Sequence, residues 1–375
     1  MWLGLDDTDS LDGGCTTYTF YKLLKDLPCE YKEPRLTRLW PFAARRTRGN
    51  AALSVELDCD DSIVDWLDEY WNKHIVPLKG KTGESQHSTR KQYPSDPGMV
   101  LFKEQPDETH YWNAVRKEAT YIEGGHQWGG NGRIGAAASC AWKGDNATWE
   151  GIGWSKEKTE ISELALTQVE SIEGTFLCRD PRTKRGLLSP RGNSPVAFGV
   201  RATSKSVAEE ATKIIIDGHP NIDSHLIFKT NQATGDHIEN TGICKIEDVS
   251  KLKGGHVIIN DKLLCFADSG KMNTLCQSLE IGDEIEYLGL EFENKTHLEA
   301  IKIVNATEKT RPICNCGTRM KSLGKGQGSR CPRCKSKTDT KFIYSKRENM
   351  PQGWVQPPYD KRRHLAKDLS GDHKC

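Results

Sequence analysis

No stretch of this chain approaches the roughly 18 consecutive apolar residues of a membrane-spanning helix. Near the start, acidic side chains from Asp6 onward replace the apolar core of a signal peptide. The expectation is a cytoplasmic chain with no membrane partner. Internal repeats are missing, which excludes stacked solenoids. Net charge is almost missing as well, at +1 from 53 Lys and Arg against 52 Asp and Glu. That balance conceals a polarity: residues 306–375 hold 17 Lys and Arg against 6 acids, leaving 36 against 46 elsewhere. A basic end on an acidic body reads either as a contact for a polyanion or as a solvated terminus. A P-loop is missing too. PLKGKTGES (77–85) ends like one, but Ile75 stands where the first glycine of that motif is required.

What is present divides into modules. At 375 residues, with 36% hydrophobic and 28% charged, the chain fits several small domains side by side. Its 13 cysteines point to metal or buried thiols sooner than to disulfides in a reducing compartment. Four are patterned: Cys314-Asn-Cys316 and Cys331-Pro-Arg-Cys334. Two close pairs a hairpin apart bring four thiolates to the corners of a tetrahedron, which is the geometry of a structural zinc site. The glycines of SLGKGQGSRC (322–331) then form the hairpin tip between the pairs. Core thiols are the expectation for nearly all the other cysteines.

Along the chain, WLGL (2–5) reads as a buried strand and Tyr18 to Leu24 as a helix capped by Thr16 or Thr17. A strand at 52–58 and helices at 61–75 and 109–120 complete a mixed α/β module. GGNGRIGAAASCAW (129–142) reads as a glycine turn entering a helix. A second unit is expected from about 171–180, with PVAFGVRA (195–202) a strand, 206–217 a capped helix and 224–237 a strand running into a polar loop; this β-α-β unit suits a ferredoxin-like domain. Residues 241–305 carry alternating strands with almost no helical pattern, as expected of a five-stranded OB-fold β-barrel. A basic tail, QPPYDKRRHLAKDL (356–369), is readable as helical after its prolines.

One short turn is chemically conspicuous. Asp6, Asp7, Asp9 and Asp12 crowd next to Gly13 and Gly14, between a strand and a helix N-terminus. Carboxylates so close repel unless a cation sits among them. Such a turn can hold Mg²⁺ while backbone N–H groups meet phosphate oxygens. Arg46 and Arg48, around a turn ending in Gly49-Asn50, could balance the phosphates. The same residues also read as an acidic surface turn and a pair of surface arginines.

GLDDTDSLDGGCTTY (4–18), RTRGNAA (46–52), PVAFGVRA, TNQATGDH (230–237), IGDEIEYLG (281–289), the four-cysteine ribbon and PPYDKRRHL (357–365) follow one another in an order that resembles the archaeal tRNA-Ile 2-agmatinylcytidine synthetases. The resemblance covers nearly the whole chain. It implies an α/β and α+β multidomain protein: a kinase-like ATP-dependent catalytic domain over 1–125, a ferredoxin-like agmatine-binding domain over 126–239, an OB-fold over 240–306, a zinc ribbon over 307–342 and a basic tail over 343–375. The implied reaction joins agmatine to the 2-oxo position of the wobble cytidine of tRNA-Ile with a CAU anticodon. Phosphorylation of the base precedes displacement by the amine, and ATP goes to AMP and two phosphates.

Matched residue by residue, the resemblance makes Asp6, Asp7 and Asp9 the carboxylates for Mg²⁺ and ATP, and Thr16 the self-phosphorylated threonine, with Thr17 its confusable neighbour. Thr8, Thr17, Arg46, Arg48, Gly49, Asn50, Gly132 and Gly135 are expected around ATP and its phosphates. Pro195, Arg201, Asn231, Asp236 and His237 are expected around agmatine, with Asp236 facing its positive charge; Zn²⁺ goes to Cys314, Cys316, Cys331 and Cys334. The expected partners are tRNA-Ile, ATP and agmatine, with no protein partner implied. Two departures stand out. Asn131 occupies a position where a basic residue is expected, and the polar link 81–98 reads as poorly structured. Both are expected to stand apart from the aspartate turn. Two rival readings remain: a non-catalytic OB and zinc-ribbon protein that binds nucleic acid, and an ATP-dependent phosphotransferase acting on another tRNA.

Overall fold

The structure is a computed structural model and describes residues 1–9, 13–46, 50–80, 85–87, 90–190, 194–324 and 326–369. The chain divides into two compact units, one made of Met1–Glu239 with Tyr359–Cys375, the other of Asn240–Pro358. No helix is long and apolar enough to cross a membrane among the described residues.

In the first unit the elements run β1 (Trp2–Asp6), α1 (Thr16–Asp26), β2 (Glu30–Tyr31), β3 (Arg35–Arg38), β4 (Ala51–Asp58), α2 (Ile63–Tyr70), β5 (Ser85–His87), β6 (Arg90–Gln92), β7 (Gly98–Phe102), α3 (Thr109–Arg116), β8 (His126–Gly129) and α4 (Gly132–Ala141). They continue with β9 (Thr148–Trp154), α5 (Glu163–Glu170), β10 (Thr175–Phe176), β11 (Val196–Ala202), α6 (Lys205–Asp217) and β12 (Ser224–Thr230). One sheet runs through the unit in the order β10-β11-β9-β12-β3-β4-β1-β7-β8, with β2 beside β4. Its two halves join where β12 pairs in parallel with β3, Lys229 opposite Arg35 and Thr230 opposite Leu36.

The central strand is apolar because both of its faces are covered. Leu3 and Leu5 pack with Phe20, Leu23, Leu53, Val55 and Leu67. Trp2, on the opposite face, packs with Val100, Phe102, Ala136 and Cys140. Gly4 is a close-approach residue: a Cβ there would sit 2.5 Å from the Ala136 carbonyl, so α4 lies directly on the strand. The small side chains of GRIGAAASCA serve the same proximity.

Several sequence expectations shift. Cys15, not a threonine, is the residue before α1, so Thr16 and Thr17 open the helix. The helix expected over 109–120 stops at Arg116, where Lys117 is extended. The second unit expected from about 171 begins earlier, with β9. That strand carries Gly151 and Gly153, which weaken its sequence signal. They are needed because a Cβ would meet the Thr212 hydroxyl at 1.9 Å and the Phe198 ring at 2.2 Å. β9 lies between β11 and β12, and α6 connects those two, giving a split β-α-β arrangement.

The second unit contains β13 (Gly242–Lys245), β14 (Val249–Lys251), β15 (Val257–Ile259), β16 (Leu263–Cys265), α7 (Lys271–Gln277), β17 (Glu284–Phe292), β18 (Lys295–Asn305), β19 (Thr307–Thr310), β20 (Lys321–Ser322), β21 (Ser329–Arg330), β22 (Lys337–Thr338), β23 (Ile343–Lys346) and β24 (Trp354–Val355). Its main sheet has seven strands, β13-β17-β18-β16-β15-β14 with β24 on β18, and no pairing closes β13 onto β14 among the described residues. The closed five-stranded barrel expected from sequence is therefore an open, larger sheet. Helix α7 was hidden by its shortness and buries Met272, Leu275 and Cys276 in the core. Asn260-Asp261 and Glu293-Asn294 make tight turns with positive φ at both residues, and the second joins β17 to β18 in two residues, Phe292 opposite Lys295.

The basic tail is described through residue 369, and among those residues its one helical piece is a short 3-10 turn at Tyr359–Lys361. Leu365 is buried with Tyr111 and Trp142. The Ala233 and Gly235 amides donate to the carbonyls of His364 and Leu365 at 2.8 Å each. Prolines at 357 and 358 cannot continue a helix, and the segment runs as successive turns, closed by the Arg362 amide on the Tyr359 carbonyl and the Ala366 amide on the Arg363 carbonyl.

Candidate active site

The aspartate turn leaves the end of β1 and meets the start of α1. Asp7 holds a positive φ of 59°. The Asp7 amide donates to the Asp6 carboxylate at 2.7 Å. The Thr16 hydroxyl donates to Asp9 at 3.2 Å and accepts from the Thr8 amide at 3.3 Å, so Thr16 ties both ends of the turn. Thr17 points elsewhere, with its hydroxyl 2.9 Å from the Cys15 sulfur and accepting from the Trp154 indole at 3.3 Å. Geometry thus separates the two threonines, since Thr16 alone of them bonds an aspartate of the turn.

A cavity of about 360 Å³ opens here, lined by Asp6, Asp7, Asp9, Thr16, Thr17, Arg46, Asn50, Gly132 and Gly135 among others. Arg48, Gly49 and Asp12 lie outside the described residues. Burial, reinforced by the Asp7 and Asp9 charges, pushes the Asp6 carboxyl well above the usual carboxylate range. Burial likewise pushes Asp7 up to about 7. Such crowding is what a bound cation would relieve. The Thr8 hydroxyl is buried with no partner among the described residues, another polar atom awaiting a ligand.

The polar link 81–98, of which residues 81–84, 88 and 89 lie outside the described residues, reaches this turn through Asp96, contrary to expectation, and Asn131 meets it through the same aspartate. The Asp96 amide, at the end of the polar link, donates to Asp7 at 3.1 Å. Asn131 donates to the Asp96 carboxylate through its backbone at 2.8 Å and its side chain at 2.6 Å. Lys79 pairs with Asp96 at 3.2 Å. The Gly132 amide goes to the Asp96 carbonyl at 3.0 Å, so the start of α4 is occupied by protein. Gly132 and Gly135 instead make room. A Cβ on Gly135 would lie 2.0 Å from an Asp6 carboxylate oxygen, and one on Gly132 2.5 Å from the Asp6 carbonyl. Sequence reading missed Asp96, Arg45 and Lys117, the last two also lining the cavity. An aspartate between two prolines in YPSDPG looks like linker, and Lys117 falls just past a helix.

A second cavity of about 1350 Å³ adjoins the first, sharing Asp9, Cys15, Thr17 and Arg38. Glu150, only 3% exposed, lines the second cavity, with Arg38 and Arg201 each 3.5 Å away. Of the five residues expected around agmatine, Arg201 alone lines this cavity. Asp236 is turned into the protein, accepting from the Tyr111 hydroxyl and, at 3.0 Å, from Asn146. Asn231 clamps β3 by accepting from the Arg38 amide at 2.7 Å and donating to its carbonyl at 2.9 Å. His237 is buried, and the Pro195 carbonyl accepts from the Ser155 amide at 3.0 Å. The reason is topological: the loop after β12 passes under the tail segment, so its polar side chains are spent on holding strands together.

In the second unit the four patterned cysteines converge, all their sulfurs within 4.8 Å of one another. Two edges measure 3.3 Å (Cys314 to Cys334) and 3.5 Å (Cys316 to Cys331). Thiolates roughly 2.3 Å from one zinc ion stand about 3.8 Å apart, so the cluster fits. Positive φ at Gly317 and Lys335 turns each knuckle back on itself. Lys321 pairs with Arg330 and Ser322 with Ser329, so the glycines between them are a hairpin tip.

Fold and site define a class: multidomain α/β proteins with a carboxylate-lined cavity in one unit and a four-cysteine ribbon in the other. Family models match the TiaS TCKD domain at residues 2–64, the TiaS FLD domain at 130–237 and the TiaS C-terminal zinc ribbon domain at 311–348. The chain belongs to the TiaS family. It is 28% identical to the tRNA-Ile 2-agmatinylcytidine synthetase TiaS of Archaeoglobus fulgidus, over 98% of this chain and 97% of that one. The Pyrococcus horikoshii protein of the same name is 29% identical, over 98% and 96%. Among solved structures, apo TiaS superposes with a TM-score of 0.75 at 25% identity, covering 98% of this chain and 96% of that one. The complex of TiaS with its isoleucine tRNA and ATP also gives 0.75 at 25% identity, covering 99% and 98%.

Proposed function

We propose that this protein attaches agmatine to the 2-oxo position of the wobble cytidine of tRNA-Ile with a CAU anticodon, at the expense of ATP. Its relatives carry the name of that activity along almost their whole length. A solved relative is a complex with its isoleucine tRNA and ATP. The observation that carries the reading is the pair of adjoining cavities: a carboxylate-lined one for phosphates and a larger one for base and amine, meeting at Asp9, Thr17 and Arg38. In this reading the first half of unit one is the kinase-like domain, its second half the ferredoxin-like domain, and the seven-stranded sheet an OB-type module.

The chemistry follows from the leaving group. An amide-like oxygen on cytosine is displaced by an amine only after it becomes a phosphate ester. Asp6, Asp7 and Asp9 would hold Mg²⁺, which when bound neutralises charge on the transferring phosphoryl group. The N–H groups opening α1 have no partner within the helix and lie beside the turn, available to phosphate oxygens. Arg45, Arg46 and Lys117 add positive charge on the cavity wall, and Asn50 adds a polar contact. Thr16, bonded to Asp9, is positioned to accept a phosphoryl group, its proton passing to that carboxylate. In the larger cavity Arg38 and Arg201 neutralise Glu150, leaving its polar edge to orient the base. The dication of agmatine needs another carboxylate, and Glu170, Glu173 and Asp368 also line that cavity. Since Asp236 is committed to Tyr111 and Asn146, its role in this reading is to fix the loop rather than to face agmatine.

The test is the mass of the anticodon nucleoside after incubation of a tRNA-Ile transcript with protein, ATP, Mg²⁺ and agmatine. The expected product is cytidine with agmatine in place of its 2-oxo oxygen, absent when agmatine or ATP is left out. ATP turnover without any change in nucleoside mass would support a phosphotransferase instead.

A further inference from the structure

The tail segment carries one side chain to the larger cavity and leaves it there without a structural task. Residues 364 and 365 are held by their main chain, the His364 carbonyl accepting from the Ala233 amide and the Leu365 carbonyl from the Gly235 amide. Leu365 is buried beside Tyr111 and Trp142, and Arg362 is paired with Asp368 at 3.2 Å. The position of His364 is therefore fixed without its ring. The imidazole lines the cavity and is exposed there, and it makes no hydrogen bond or ion pair among the described residues. A histidine kept for stability spends both ring nitrogens, as His219 does: its Nδ1 lies 2.7 Å from the Ile215 carbonyl and its Nε2 accepts from the Ser162 amide at 2.9 Å.

The charges facing the ring come from the sheet. Arg38 on β3 and Arg201 on β11 act on it, and both also hold Glu150 on β9. On its own segment Arg363 lies over the Phe42 ring at 4.4 Å, and Lys367 and Asp368 line the same cavity. Repulsion by Arg38, then enclosure by the protein, then Arg201 hold the imidazole well below the usual histidine range. It is neutral at physiological pH and its lone pair is free. The amine of agmatine has the opposite need. An alkyl ammonium such as that of lysine gives up its proton only near pH 10.4 in water, roughly three units above neutrality. Almost none of it then has the lone pair that attack on carbon requires.

We propose that His364 is the general base for the amine step, accepting a proton from the primary amine of agmatine and so freeing that nitrogen to attack the phosphorylated cytidine. The inference rests on the reading of the protein as an agmatine-attaching enzyme and assigns the destination of the proton. One proton passes from the ammonium to the imidazole, and the freed lone pair forms the C2–N bond. The C2–O bond breaks with its electron pair on the phosphate, which carries away a second proton from the nitrogen. Arg38 and Arg201 favour the transfer, because they disfavour an ammonium beside them. The negative phosphate, once on the base, offsets their charge and makes the imidazole the stronger base when it is needed.

The experiment is a single turnover. Full-length, zinc-loaded protein first phosphorylates a tRNA-Ile transcript with Mg²⁺ and ATP, agmatine is then added, and the nucleoside mass is followed between about pH 7 and pH 9, below the amine pKa. His364→Gln should phosphorylate the tRNA as wild type does and then attach agmatine about 100- to 10,000-fold more slowly. Saturating agmatine should not restore the rate. In the variant the rate should climb about tenfold per pH unit as free amine becomes available, while the wild-type rate stays level. His364→Asn should behave alike, and a melting temperature equal to that of wild type shows that the tail is still docked. Equal attachment rates in variant and wild type overturn the proposal. A loss that excess agmatine repairs, a loss with no pH dependence, or a failure at the phosphorylation step overturns it as well. If wild type itself never changes the nucleoside mass, it is the enzymatic reading that fails, and the assignment of His364 falls with it.

Discussion

Replacing Asp7 by Asn tests the site most directly, because the fold should tolerate the change and the chemistry should not. Asparagine has nearly the same volume and accepts the positive φ that Asp7 adopts. What it removes is a carboxylate whose pKa burial lifts from 3.8 to about 7. An acid with a raised folded pKa contributes stability in full below its unfolded pKa, and that contribution is lost as pH rises through the folded one. For Asp7 the window runs from about pH 4 to about pH 7. The gap is equivalent to at most roughly 4 kcal/mol, and solvent in the cavity reduces it to about 1–3 kcal/mol. In a unit of this size that is a melting-temperature difference of several degrees, at about 2–4 °C per kcal/mol. The assay is thermal unfolding of magnesium-free protein between pH 4 and pH 8, without chelator, which would strip the ribbon of zinc. Wild type and Asp7→Asn should melt together near pH 4, and the variant should melt several degrees higher at pH 8. Adding Mg²⁺ and ATP should then raise the wild-type midpoint and leave the variant unmoved, since a ligand stabilises only the state that binds it. ATP turnover should fall by orders of magnitude. A gap between the two proteins that does not change with pH, or an equal response to Mg²⁺-ATP, would falsify the assignment of Asp7 to a buried cation site.

Three other outcomes are expected. Thr16→Ala should still show the Mg²⁺-ATP midpoint shift but lack the phosphorylated form by mass spectrometry, whereas Thr17→Ala should keep it, because Thr16 alone of the two bonds Asp9. Cys331→Ser should lose zinc by metal analysis and unfold the ribbon, since a closed four-thiolate site supplies that module's folding energy; a full equivalent of zinc retained would exclude these ligands. Leu365→Ala should destabilise the first unit by about 2–4 kcal/mol in urea unfolding, with zinc content unchanged, because it empties a packed site beside Tyr111 and Trp142.

The parts of the fold most legible in sequence were those whose cause is local. The knuckle spacing of Cys314, Cys316, Cys331 and Cys334 pointed to the ribbon site, and the periodicity of 206–217 pointed to a capped helix, which runs over Lys205–Asp217 with the Ser204 hydroxyl accepting from the Val207 amide. The aspartate turn was visible because like charges at that density are costly unless a cation joins them. Features with a non-local cause were not visible. β9 is disguised by glycines whose purpose lies in Thr212 and Phe198, and Asp96 acts on Asp7 across 89 residues from a stretch that looks like linker. Asp236 was chosen for its charge, but only the packed structure places Tyr111 and Asn146 on it. The expected barrel failed on closure, a property of how strands meet at the ends of a sheet, which alternation along each strand does not encode.

The return of the chain from the second unit to the first has a consequence for synthesis. Residues 359–369 are the last described part of the chain, yet Leu365 fills the core beside Tyr111 and Trp142, and residues 364 and 365 pair with the loop after β12. On the ribosome the first unit therefore emerges early but lacks a piece of its interior until residues 359–369 have followed the second unit out. The second unit, continuous from Asn240 to Pro358, has its whole sequence exposed sooner. Domains that fold as units during synthesis do so in the order in which they are complete. The first unit is thus completed after the second, and until then its Tyr111–Trp142 cluster lacks the Leu365 side chain that packs against it.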